Sequence, residues 1–203
     1  SSALRAELAR RDLDGFVIPI SDEHMSEYVG AYAQRLAWLT GFGGSAGSAV
    51  VLRDKAAMFT DGRYTLQVRD QVDGAHYSYQ SVPETSIALW LSQEAPDGAR
   101  IGYDPWLHTD GWVKSVQAAL ARKGGALVAV SDNPVDAVWT DRPQPSAAPA
   151  SVQSDALSGR SSADKRAMIA EVLQAEGLDA TVMTALDSVA WTFNIRGADV
   201  DRT

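Results

Sequence analysis

Few residues in this chain carry obvious chemistry, and their spacing narrows what that chemistry could be. Gly43-Gly44-Ser45-Ala46-Gly47 satisfies the Gly-x-Ser-x-Gly pattern literally. A nucleophile elbow built on that pattern needs a strand before the serine and a helix after it. Here the order is reversed: a helical pattern precedes, and an apolar strand starting at Ser48 follows. The histidines such a triad would recruit, His76 or His108, have no supporting context. The segment reads better as a tight turn, where glycines accept positive φ and close backbone approach. It also fails as a dinucleotide fingerprint, because Ala46 breaks the glycine spacing and no helix follows. A hydrolytic metal centre needs several His and carboxylate ligands converging on one ion. His24, His76 and His108 are far apart, and Asp22-Glu23-His24 is the one tight acid–imidazole cluster. Consecutive side chains point in different directions, so this cluster is a poor chelate. It reads as the solvated start of a helix capped by Ser21 or Asp22. No catalytic residue and no metal ligand is therefore assigned.

Asp61-Gly62-Arg63-Tyr64 is more informative. Arg63 falls in the first turn of a predicted helix, at the positive end of its macrodipole. A cation there runs against local electrostatics, and local rules are most often broken where function demands it. A guanidinium fork suits a carboxylate or a polarised carbonyl. The competing reading is that Arg63 pairs with Asp61 or another surface acid. Both stay open on the residues alone.

The elements that must position these residues follow from periodicity. Leu4, Leu8 and Leu13 mark an amphipathic helix running into a short buried strand at Phe16-Val17-Ile18, ended by Pro19. Leu36, Ala37, Leu39 and Thr40 mark a second helix closed by Gly41. Ser48 to Leu52 and Ala56 to Thr60 are joined by Arg53-Asp54-Lys55 as a β-hairpin. Asp61 caps a helix of about ten residues ending near Asp73-Gly74. A strand over His76 to Val82, a helix over Thr85 to Gln93 and a strand over Ile101 to Tyr103 come next. Thr109 caps a helix to Lys123, Gly124-Gly125 closes it, and Leu127 to Val130 is a buried strand. Strands and helices alternate around one hairpin, which predicts an α/β domain with a mixed β-sheet flanked by helices. Most of the six tryptophans are expected in core packing.

Composition bounds the rest. The chain has 203 residues, 45% hydrophobic and 22% charged, in the range of a folded globular protein. Lys+Arg 18 against Asp+Glu 26 gives a net charge of −8 with no basic run, so neither nucleic acid nor an anionic membrane is an expected partner. There is no cysteine, which excludes disulfides, iron–sulfur ligation and thiol catalysis and fits a reducing compartment. No apolar run approaches the roughly 18–20 residues of a membrane span, and Ser1-Ser2-Ala3-Leu4-Arg5 lacks the apolar core of a signal peptide. A cytoplasmic location is expected.

Composition shifts at Arg142. Residues 142–160 hold three prolines, four serines and four alanines, and read as a linker after a first domain over 1–141. Beyond it the opening pattern returns: Ile169, Leu173 and Leu178 to Val182 repeat Leu4, Leu8 and Leu13 to Val17, and Ala190-Trp191 repeats Ala37-Trp38. Residues 161–203 thus look like the beginning of a second, similar domain. A unit this short cannot bury a core of its own, so the chain is expected to be a fragment of a longer protein.

Taken together, these residues carry a resemblance. Asp22-Glu23-His24, Glu27-Tyr28, Arg35 to Phe42, Gly44 to Gly47, Phe59 to Tyr64 and Trp139 to Pro143 resemble the amino-terminal domain of three-domain Xaa-Pro aminopeptidases. Thr184 to Asp187 and Ala190-Trp191 through Gly197 resemble the opening of that family's second domain. The resemblance implies a creatinase/prolidase-like fold and a missing carboxy-terminal catalytic domain. That domain would hold two divalent metal ions, usually manganese, and remove the first residue from peptides whose second residue is proline. It implies that this part is catalytically silent and binds no cofactor itself. It implies a homodimer, and gives Arg63 a substrate-binding role. The alternative is a stand-alone protein-binding module that never had a catalytic domain.

Overall fold

The computed structural model of the protein describes residues 2–200. Strands Gly15–Pro19 (β1), Ser48–Leu52 (β2), Ala56–Thr60 (β3), Ser78–Ser81 (β4), Arg100–Tyr103 (β5) and Ala126–Ala129 (β6) form one sheet in the order β4-β3-β2-β1-β5-β6. β2 runs antiparallel to β1 and β3, while β3–β4, β1–β5 and β5–β6 are parallel. Connection length decides this. The three-residue turn between β2 and β3 can only reverse the chain, whereas parallel neighbours need a crossover. The crossovers carry helices Thr65–Gln71 (α3), Ile87–Glu94 (α4) and Asp110–Ala121 (α5), with Ser2–Arg10 (α1), Arg35–Thr40 (α2) and Pro134–Val138 (α6) completing the layers.

Both sheet faces are covered, and each strand splits its side chains between them with period two. Phe16, Ile18, Ala49, Val51 and Met58 join Leu4, Leu8 and Val135 on one face. Val17, Val50, Leu52, Ala57 and Phe59 join Trp90, Leu91, Val116 and Leu120 on the other. This is why the strands read as unbroken apolar runs.

The expected mixed sheet, hairpin and first helices are present. Gly41 at φ 82° supplies the left-handed close of α2, and Thr109 caps α5 through the amide of Trp112. Differences are local. Asp61 caps a 3-10 turn over Gly62–Tyr64, and the α-helix begins only at Thr65. The fourth strand shrinks to Ser78–Ser81, because the amides of His76 and Tyr77 turn back to Asp73. Ser86 caps α4 through the amide of Leu89, so this helix starts at Ile87 and not at Thr85. α6 had no expectation from periodicity; Asn133 caps it and Pro134 opens it. Trp38, Trp106 and Trp191 are 38%, 76% and 48% exposed, so only half of the six tryptophans take the packing role expected for most of them.

The remainder holds Ser151–Val152 (β7), Asp155–Ser158 (α7), Ser162–Ala175 (α8), Leu186–Phe193 (α9) and Ile195–Arg196 (β8), with β7 and β8 paired antiparallel. The stretch read as a linker is therefore not bare connector, since β7 and α7 lie inside it. Lys165 is buried, donating from Nζ to the carbonyl of Trp191 at 2.9 Å and to Asn194 Oδ1 at 2.6 Å. The strand expected at Leu178 to Val182 is not formed. Among the described residues no neighbouring strand takes its hydrogen bonds, and Val182 is 87% exposed.

Candidate functional site

Register brings the informative residues together. Pro19 at the end of β1 faces Ser48 at the start of β2, and Ser48 faces Phe59 near the end of β3. The segment after β1, the glycine-rich turn before β2 and the Asp61 segment after β3 therefore meet at one end of the sheet. There the turn of 43–47 meets Glu27 from the first segment and Tyr64 from the third.

Asp61 does two jobs. Its Oδ1 accepts from the Arg63 amide at 3.0 Å and from Arg63 Nε at 3.0 Å, while Oδ2 accepts from Nη2 at 2.8 Å. The guanidinium holds the Asp61 carboxyl below its ordinary range, and Asp61 raises Arg63 further. This is the pairing that the sequence left open beside a substrate role, and one side of the fork is engaged. Nη1 takes no partner among the described residues, and the side chain is 65% exposed. The Arg63 Cζ lies 5.2 Å from the centre of the Tyr64 ring.

Ser45 is not a nucleophile of the triad kind. Its Oγ donates to Glu27 Oε1 at 3.0 Å and sits 2.9 Å from Tyr64 Oη, and its amide donates to Tyr64 Oη at 3.2 Å. Among the described residues no histidine hydrogen-bonds it. Gly44 makes the close approach possible: a Cβ there would stand 2.4 Å from Phe42 Cζ and 2.8 Å from Tyr64 Cδ1. Beside this cluster opens a cleft of about 380 Å³, with Ile20, Leu36 and Phe42 in its wall and Glu27, Ser45 and Asp199 supplying polar groups.

Asp22-Glu23-His24 begins no helix. Asp22 is buried, and its Oδ1 accepts from the amides of His24 at 3.0 Å and Ser26 at 3.2 Å. It shapes a loop that also places Met25 at φ 56°. Glu23 turns away to accept from Tyr32 Oη at 2.6 Å, so the three side chains share no ligand position. Among the described residues, no group of three or more His, Cys, Asp or Glu side chains converges where an ion could be held. These residues therefore do not fit the implied metal pair. Sequence reasoning missed Glu27 as a partner of Ser45 and Asp22 as the organiser of its loop. The signal for Asp22 was present: an Asp bonding the amide two residues on is a turn former.

His108 lies at the same end, after β5, and is partly buried. Its Nδ1 bonds the carbonyl of Asp104 at 2.9 Å, its ring stacks 3.9 Å from Trp112, and Nε2 has no partner. Burial pushes this imidazole below its ordinary value, against a smaller opposing pull from Asp104. The unfolded chain then takes the proton first. The stability His108 contributes is complete above the unfolded value and is lost as pH falls through the folded one. Thermal melts should fall more steeply between pH 7.5 and pH 5 in the wild type than in His108→Phe; parallel profiles would remove this group from the pH response.

The sheet order, its two covered faces and the loops gathered at one end define a mixed α/β domain. The chain belongs to the creatinase/prolidase N-terminal domain family: one model of that description matches residues 1–138 and a second matches residues 141–203. Xaa-Pro aminopeptidase 2 of Sus scrofa is 40% identical over 98% of this chain, and that of Homo sapiens 37% identical over 98%. The chain spans 30% of the length of each of these relatives. The X-prolyl aminopeptidase of Caenorhabditis elegans, a cytosolic enzyme with a di-nuclear active site, superposes with a TM-score of 0.86 at 33% identity, covering 98% of this chain and 34% of its own. The N-terminal domain of the cytoplasmic peptidase PepQ of Mycobacterium tuberculosis superposes at 0.51 with 25% identity, covering 67% of this chain and 95% of its own. Among the described residues, no helix is long and apolar enough to cross a membrane.

Proposed function

We propose that this chain is the amino-terminal, non-catalytic part of a longer Xaa-Pro aminopeptidase, acting on peptides whose second residue is proline. The observation that carries it is coverage. Nearly all of this chain aligns with the same third of the Caenorhabditis elegans enzyme, through both of its units. A stand-alone binding module would not require a match that runs across both units into proteins about three times its length. In this reading, residues 1–141 form the first domain, 142–160 the connection and 161–203 the opening of a second domain. Two divalent ions, manganese by resemblance, would belong to a further catalytic domain, where they would supply Lewis-acid chemistry. The whole protein works as a homodimer in the cytoplasm.

What this chain contributes is binding and orientation. Arg63 presents Nη1 while Asp61 holds the opposite edge of the fork, so a substrate carbonyl or carboxylate meets a donor already aimed. The acidic cleft beside it, with Glu27 and Asp199, suits the positively charged amino end of a peptide over an anionic one. The test is to assay the full-length protein and this chain alone, each with Mn²⁺, on an Xaa-Pro peptide. Turnover is expected from the full-length protein only. Turnover by the short chain, or an inert full-length protein, would refute the assignment.

A further inference from the structure

We propose that Ser45 is a positioning residue for Arg63, acting through Tyr64; this rests on the reading of Arg63 as the residue that meets substrate. Proton count fixes the direction of the bonds at Ser45. The Ser45 hydroxyl has one hydrogen, and Glu27 Oε1, 3.0 Å away, is an acceptor. That hydrogen is therefore committed to Glu27, and the 2.9 Å contact with Tyr64 must be donated by the phenol. The Ser45 amide donates back to the same phenol oxygen at 3.2 Å. Tyr64 is thus pinned at its far end by two bonds of opposite sense from one residue. Its ring is also braced by Phe42 edge-on, with centres 5.5 Å apart at 85°. The backbone at Gly44 passes so close that no side chain could fit between.

On this fixed ring lies the guanidinium of Arg63, gripped along its other edge by Asp61. A long exposed side chain ordinarily samples many rotamers, and ordering it opposes binding. Arg63 is 65% exposed yet held between two placed groups. The Gly-x-Ser-x-Gly turn, which offers no triad, thereby acquires a use: it anchors the platform under the binding arginine.

The experiment uses the full-length protein with an Xaa-Pro peptide, reading KM and kcat separately. Ser45→Ala and Tyr64→Phe each break the hydroxyl–phenol bond. Each should raise KM about two- to tenfold, the range of one neutral hydrogen bond, with kcat and the thermal midpoint unchanged. Ser45→Thr should restore the wild-type KM. In an Arg63→Ala background, Ser45→Ala should add nothing. A merely structural serine would lower the thermal midpoint and would raise KM equally with or without Arg63; either result overturns the proposal while leaving the reading of Arg63 intact. Should Ser45→Ala fail to fold, Tyr64→Phe keeps every residue of the turn and removes only the phenol oxygen that Ser45 bonds, and an unchanged KM there overturns the proposal too. An Arg63→Ala protein with wild-type KM would instead sink the reading of Arg63, and the proposal with it.

Discussion

Replacing Asp136 with alanine is expected to remove about 3–5 kcal/mol of stability, the cost of leaving a buried charge without its partner. Asp136 Oδ1 accepts from Arg35 Nε at 2.7 Å and Oδ2 accepts from Arg35 Nη2 at 2.8 Å, while Arg142 Nη1 forms an ion pair with Oδ2 at 2.8 Å. The Arg35 side chain is only 8% exposed, and its Nη1 already lacks a partner. Without the carboxylate, a guanidinium from α2 would remain inside the protein with its fork empty. The loss reaches further than one pair. Arg142 also donates to the carbonyl of Tyr32 at 2.8 Å, tying the chain after α6 to the segment that carries Glu27. Urea unfolding of Asp136→Ala should show a lower midpoint at an unchanged slope. A double replacement, Arg35→Met with Asp136→Leu, should recover most of the loss, because removing both charges removes the desolvation cost as well. A single-variant loss below about 1 kcal/mol would mean that solvent reaches Arg35 and that the pair is worth no more than a surface one.

Arg63→Ala, in the full-length protein, is expected to lower kcat/KM roughly ten- to hundredfold, the range for loss of a charge-assisted hydrogen bond to substrate. The urea midpoint should not move, since Arg63 is exposed and pairs only with its neighbour Asp61. Arg63→Lys should recover little. An ammonium keeps the charge but cannot bond Asp61 along one edge and present a donor from the other. An unchanged kcat/KM in Arg63→Ala would return this residue to the role of a local surface ion pair.

Much of the fold was legible because its causes are local. Short unbroken apolar runs set β1 to β3, and the three polar residues Arg53-Asp54-Lys55 left a hairpin as the one available connection. The positive φ of Gly41 marked the end of α2. Where an element depended on a distant partner, local pattern misled. Leu178 to Val182 copies the apolar pattern of Leu13 to Val17, but β1 is a strand because β2 and β5 bond it on both sides, and the copy has no such neighbours. Trp106 looked like its five fellows, and only the packing around it shows it bare.

The site divides in the same way. Asp61 and Arg63 are two residues apart, so their pairing could be weighed from sequence alone, and the misplaced cation at a helix start singled Arg63 out. Ser45, Glu27 and Tyr64 are separated by eighteen and nineteen residues, and no periodicity relates them. What joins them is the reversal of β2 between β1 and β3, which carries three loops to one end of the sheet. A chain determines by itself what its short-range hydrogen bonds and apolar periods require. Which side chains then face one another across tens of residues is decided by strand register, because register is settled by burying both faces of the sheet at once.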